Sequence, residues 1–249
     1  MRLLLANPNT TQAVTDTIAA AARAFAASGT EVVPVTARFG GKIIGTRAEM
    51  AIAEHAALDV LARAAEGCDA AIIGASVDSA LRAAREMFAF PVLGLTESAL
   101  HVACLAGGRF GTVTLSHRSA YPLREMVEGY GLAARCGGHR AADATPHDLL
   151  ANPERVADLI IAEARVLVEQ QMADVIVLIG AVMAAMRPRV QPHLPVPVVE
   201  GVAAAVALAE AMVKLRLPKP RVGGYAAPPP RDTSGLGEAL AARLAGTTE

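Results

Sequence analysis

The chain has 249 residues, which suits one large domain or two small lobes. Hydrophobic residues make up 53% and charged residues 19%, so a disordered chain is excluded and a packed core is well supplied. Twenty-three basic against 24 acidic residues leave a net charge of −1, with no basic surplus to hold a phosphate backbone, so nucleic acid is not expected as a partner. In chain order, the apolar run at 3–5, stopped by Asn7-Pro8-Asn9, reads as a buried parallel strand rather than a secretory leader. Thr10 or Thr11 caps a helix with Val14, Ile18 and Ala21 on its apolar face. A strand at 31–35, an alanine-rich helix at 49–65 and a strand at 70–73 follow. A helix at 78–87 and a strand at 91–95 complete a βαβα order, which implies a parallel sheet covered on both faces.

The pattern then restarts. A strand is expected at 110–115, a helix at 121–130 with Ser116 as a cap, and a long helix at 153–171. Strands at 175–179 and 197–199 lead into an apolar helix at 201–214, too short for a membrane span. Asp69-Ala-Ala-Ile-Ile-Gly-Ala75 with Pro91-Val-Leu-Gly is repeated as Asp174-Val-Ile-Val-Leu-Ile-Gly180-Ala181 with Pro197-Val-Val-Glu200. Such a repeat sets the architecture. The expected fold class is α/β, with two pseudo-symmetric lobes, parallel-rich sheets and a cleft between them at the strand ends. Residues 1–96 with 201–249 form one lobe and 97–200 the other, without a flexible linker, as one compact unit. From about Leu217, prolines and glycines make a strap before a short helix near 236–244.

Chemistry-bearing residues gather where strands end. Asn7, Pro8 and Asn9 open a helix whose N–H groups suit a carboxylate or carbonyl oxygen, or they form a rigid capped turn. Ser76 offers a hydroxyl to a developing oxyanion. Asp78 reads as a helix cap or a base. Glu97 and Glu200 each follow the fourth strand of their repeat, as buried acids or as caps. His117 is the best-placed histidine, with Thr114, Ser116 and Tyr121 beside it. The loop from Arg38 to Gly45 has a surface reading and a reading as a cover presenting a cation; Arg47 and His55 follow it. The three cysteines, Cys68, Cys104 and Cys136, read as small buried residues. Their sparsity argues against a disulfide framework and for a cytoplasmic location.

Six motifs in order then carry a resemblance over about residues 1–215. They are Asn7-Pro8-Asn9-Thr10, the Asp78–Glu86 segment, Pro91-Val-Leu-Gly-Leu-Thr-Glu97, Arg109-Phe-Gly-Thr-Val-Thr114, Tyr130-Gly-Leu132 and Val199-Glu200-Gly201-Val202-Ala-Ala-Ala-Val206. The chain resembles the aspartate/glutamate racemase superfamily, in its hydantoin and allantoin racemase branch. The resemblance implies a small-molecule substrate, no metal, no other cofactor and a homo-oligomer. It also implies two thiols, one removing the proton beside a carbonyl and the other returning one. Here the two thiol positions fall on Ala75 and Gly180, and a one-residue slip still finds no cysteine. Ser76-Val77 and Ser79 also replace the usual Phe-x and Pro.

Three explanations stand: a cysteine-free branch, a different chemistry such as decarboxylation, or deliberate replacement. The first reading is an isomerase acting beside a carbonyl through an enolate-like intermediate. Its catalytic candidates are Ser76 and His117. Its binding candidates are Asn7, Pro8, Asn9, Ala75, Ser76, Thr114, Ser116, Tyr121, Gly180 and Ala181. A lyase of the same superfamily and a retired binding protein are the alternatives.

Overall fold

Residues 1–247 are described by a computed structural model, apart from the side chain at position 150. They form two units. The first comprises Met1–Gly94 with the chain from Val206 onward, and the second comprises Leu95–Ala205. In the first unit, β1 (Arg2–Asn7), β2 (Glu31–Thr36), β3 (Ala70–Ile73) and β4 (Val92–Gly94) make a parallel sheet in the order β2-β1-β3-β4. The helices between them are α1 (Gln12–Phe25), α2 (Arg47–Ala64) and α3 (Leu81–Met87). Leu3, Leu4 and Leu5 are fully buried. That is why β1 reads as a continuous apolar run rather than an alternating one.

The second unit opens with α4 (Leu95–Ala106), β5 (Phe110–Thr114) and α5 (His117–Gly129). It continues through β6 (Cys136–Ala141), α6 (Pro146–Ala151), α7 (Pro153–Gln171) and β7 (Val175–Leu178). It ends with α8 (Arg187–Val190) and β8 (Val198–Glu200), the last strand of a parallel sheet ordered β6-β5-β7-β8. Then α9 (Gly201–Leu215) leads to the strap and α10 (Glu238–Leu244). No described helix is long and apolar enough to cross a membrane.

Backbone pairing fixes the alignment of the two repeats. Asp69 accepts from the Arg2 amide at 2.7 Å and donates its own amide to the Arg2 carbonyl at 2.9 Å. Asp174 does the same with Arg109, at 2.9 and 2.8 Å. At the other strand end, the Gly74 amide bonds the Ala6 carbonyl and the Ile179 amide bonds the Val113 carbonyl. Ala75 and Gly180 are therefore true counterparts, and the one-residue slip is excluded. By the same registers Asn7 corresponds to Thr114, and Gly94 to Glu200.

Two local readings differ from the sequence. The edge strand β6 has no apolar run to announce it. Its Cys-Gly-Gly-His-Arg-Ala is half-buried up to its last residue. The helix expected from Asp78 starts at Leu81, because Asp78 and Ala80 both take left-handed backbone, with φ of 46° and 56°.

The strap is tied to the first unit. Lys219 Nζ donates to the carbonyls of Arg85, Glu86 and Phe88 at 3.3, 2.5 and 3.0 Å, which satisfies the C-terminal end of α3. The Arg243 guanidinium lies 4.6 Å from the centre of the Phe88 ring, and Leu240 is buried. Replacing Lys219 with Met removes a charge-assisted cap. The expected cost is about 1–2 kcal/mol in urea unfolding, with faster proteolysis in the strap.

Candidate functional site

In the first unit, β1 ends in a turn built by its own asparagines. Asn7 is fully buried. Its Nδ2 donates to Asn9 Oδ1 at 3.1 Å and to Thr15 Oγ1 at 2.8 Å, while its Oδ1 accepts from the Asn9 amide at 3.1 Å. Asn9 Oδ1 accepts from the Thr11 amide at 2.9 Å. These side chains hold the turn that carries Pro8, which is the rigid-turn reading of the motif. The loop after β2 is docked on that turn: the Thr10 amide donates to the Gly41 carbonyl at 3.0 Å, and Thr11 Oγ1 to the Lys42 carbonyl at 2.8 Å.

The next strand end carries the most chemistry. Ala75 is buried and Ser76 half-buried. Asp78 is only 6% exposed. It is not the cap of α3, whose first flanking residue is Ala80. Two left-handed non-glycine residues within three positions cost of order 1–3 kcal/mol each, a strain that tends to cluster at active sites. Asp tolerates this backbone better than most residues. The Asp78 carboxyl lies directly over Gly94, at the end of β4. A Cβ there would sit 2.5 Å from Oδ1 and 2.7 Å from Oδ2. A glycine at the strand end thus makes room for a buried carboxyl at the mouth of the sheet. The neighbouring Ser79 Oγ is buried without a hydrogen-bond partner in the structure.

The corresponding strand ends of the second unit differ in kind. Thr114 is buried and donates to the Ser116 carbonyl at 3.0 Å, and Ser116 Oγ lies 3.0 Å from Ser119 Oγ. His117 is exposed at the head of α5, and Tyr121 is 71% exposed. Gly180 has a φ of 147°, and a Cβ on it would meet Met183 Cγ at 2.8 Å. Ala181 then starts a short 3₁₀ segment. A cysteine at position 180 would require both strained backbone and a displaced Met183.

Glu200 is a cap. Its carboxylate accepts from the Val202 amide at 2.6 Å and the Ala203 amide at 2.7 Å, at the start of α9. Glu97 lies instead in the first turn of α4, beyond Gly94, so the two glutamates are not counterparts. Burial pushes the Glu200 carboxyl above the ordinary glutamate value, and its two amide bonds and Arg187 only partly offset this. An acid whose folded value is raised binds more protons folded than unfolded, so its contribution to stability falls as pH rises through that window. Unfolding curves at several pH values should therefore show wild type losing stability relative to Glu200→Gln as pH rises above the ordinary glutamate range.

The cysteines stand apart from both strand-end clusters. Burial raises the thiols of Cys68 and Cys136, and it lowers the His139 imidazole beside Cys136. The Cys136–His139 pair, 3.7 Å apart, is therefore biased toward its neutral form and away from a thiolate.

Comparison with known proteins gives the family. The family model described as Asp/Glu/Hydantoin racemase matches residues 3–209. A hydantoin racemase from Pseudomonas sp. (strain NS671) is 32% identical over 216 residues, covering 86% of this chain and 87% of that protein. The crystal structure of allantoin racemase from Pseudomonas fluorescens superposes with a TM-score of 0.91 at 32% identity, over 94% of this chain and 100% of the other. Allantoin racemase from Klebsiella pneumoniae gives 0.91 at 33% identity, over 96% and 98%. With its motifs in order, its sheets repeated and its relatives matched along nearly their full length, the chain belongs to the Asp/Glu/hydantoin racemase family.

Proposed function

We propose that this racemase-family enzyme inverts a C–H centre beside a carbonyl in a small cyclic ureide of the hydantoin or allantoin type. The reaction proceeds without metal or other cofactor and without a thiol pair. The Asp78 carboxylate takes the proton from the carbon. The electron pair moves onto the adjacent carbonyl oxygen, giving an enolate-like intermediate. The Ser76 hydroxyl donates a hydrogen bond to that oxygen, and a proton delivered to the opposite face of the carbon gives the other enantiomer. His117 is the candidate donor from the second unit, with Thr114, Ser116, Tyr121, Gly180 and Ala181 as the binding candidates around the corresponding strand ends.

The observation that carries this reading is Asp78. It is a buried carboxyl in strained backbone, beside the first empty cysteine position, in a space that Gly94 leaves open. It moves the leading role in the first unit from Ser76, whose hydroxyl is a weak base, to a group able to accept a proton. The test follows the C5 proton of 5-substituted hydantoins and allantoin by NMR in deuterium oxide, with optical rotation recorded alongside. Loss of both signals at matched rates supports racemisation. Retention of both, from folded protein, is the outcome for a binding protein, and release of carbon dioxide from a substituted malonate would mark a lyase.

A further inference from the structure

The edge strand β6 carries a side-chain cluster that the reaction proposed above does not use. Its pairing with β5 contains a bulge. Phe110 lies opposite Cys136, but Gly111 lies opposite Gly138, so Gly137 is the extra residue. On a regular strand, residues at i and i+3 point to opposite faces of the sheet. The bulge instead brings Cys136 and His139 to one face, beside their β5 partners Phe110 and Thr112. Glycine suits position 138, because a Cβ there would run into the Gln171 side chain.

Cys136 Sγ lies 3.7 Å from His139 Nε2. The other ring nitrogen, Nδ1, lies 2.7 Å from Oγ1 of the fully buried Thr112. When Thr112 accepts from Nδ1–H, the Nε2 lone pair faces the thiol. An outer hydrogen-bond partner of this kind orients metal-ligating histidines. Bonds of about 2.3 Å to sulfur and about 2.05 Å to nitrogen would span the 3.7 Å gap with an angle of about 115° at a bridging ion. Both residues are half-buried rather than sealed, so an ion reaches them from solvent.

We infer that Cys136 and His139 bind one soft monovalent d10 cation, of the copper(I) class. The thiol gives up its proton to solvent as the metal–sulfur bond forms, so thiolate and ion together are neutral. One thiolate and one imidazole suit such an ion. Zinc favours four ligands, and no group of three or more His, Cys, Asp or Glu is placed to hold a metal among the described residues. The surrounding charge points the same way. Arg124 and Glu128 of α5, which face His139, are paired with each other at 3.1 Å, and Arg109 faces Cys136. A neutral thiolate–ion unit tolerates that guanidinium, whereas a dication would add a second positive charge beside it. The pair is also separate from the strand-end candidates: Cys136 is level with the first residue of β5, and Thr114 is the last.

The test uses full-length protein carrying Cys68→Ser and Cys104→Ser, which leaves Cys136 as the one thiol. Copper(I) is supplied anaerobically in competition with bicinchoninate. The expected result is one copper(I) per chain, with a sulfur and a nitrogen neighbour in X-ray absorption. His139→Ala should weaken binding by at least about 100-fold and Thr112→Val by about 10-fold. Zinc(II) should bind at least about 100-fold more weakly than copper(I). The inference would be overturned by no copper(I) held against the chelator, or by zinc(II) bound as tightly as copper(I). Unchanged affinity in His139→Ala, or a metal with no nitrogen neighbour, would mean an adventitious thiol only and would overturn it too. Should His139→Ala fail to fold, the nitrogen neighbour and the Thr112→Val affinity decide.

Discussion

Asp78→Asn should lower kcat for hydantoin racemisation by about 10²–10⁴-fold, the usual worth of a positioned general base, while the protein stays folded. The substitution isolates the carboxylate. Asparagine has nearly the same shape and accepts left-handed backbone as readily as aspartate, so the φ of 46° is kept. What is lost is the ability to take a proton. KM should change little, because the loss falls on the transition state rather than on ground-state binding. Steady-state kinetics and a circular dichroism melt on the same sample check this. A variant with near wild-type kcat would remove Asp78 from the mechanism. Ser76→Ala should cost less, because it removes one donor to an oxyanion and leaves the base in place.

Gly94→Ala should be the second most damaging change. The added methyl would fall 2.5 Å from Asp78 Oδ1 and 2.7 Å from Oδ2, closer than real Cβ contacts allow. Gly94 is held in register by β3, opposite Ile73, and Asp78 is buried on a short strained turn. The strand backbone is held and the atoms met are the end of a side chain, so the carboxyl is the group displaced. A shift of about an ångström in a catalytic group costs on the order of 10²-fold in rate. Overpacking adds a stability loss of about 1–3 kcal/mol. The combined signature, slower turnover with lower urea resistance, separates Gly94→Ala from Asp78→Asn, which should leave stability within about 1 kcal/mol. In the double variant the kinetic losses should not add, since both act through one carboxyl.

Much of the fold was legible because its signals are local and repeated. Buried parallel strands give short apolar runs, and α7 was bounded by Pro153 and Gln171 in both sequence and structure. The duplicated Asp69 and Asp174 segments announced two like sheets, and the paired Arg2–Asp69 and Arg109–Asp174 bonds are the physical form of that repeat. The edge strand β6 was missed because a half-buried edge made of Gly, His and Arg needs no apolar pattern. The site was less legible. Asp78 before a helical pattern looks like a cap by every local rule, but left-handed backbone at Asp78 and Ala80 delays the helix to Leu81 and leaves Ala80 as its flanking residue. Its relation to Gly94 is a contact across the sheet, which spacing along the chain does not encode. Glu97 and Glu200 looked alike in sequence, yet one ends in a cap and the other lies a turn further on.

We propose proton transfer by the Asp78 carboxyl in place of the thiol pair that the family resemblance implies at positions 75 and 180. It is tested most directly by incubating a single enantiomer of 5-methylhydantoin in deuterium oxide with wild type and Asp78→Asn, following the C5 proton and the optical rotation together. The expected result is loss of both signals with wild type, and rates lower by about 10²-fold or more with the variant. Equal rates for the two proteins, or loss of rotation with full retention of the C5 proton, would contradict it.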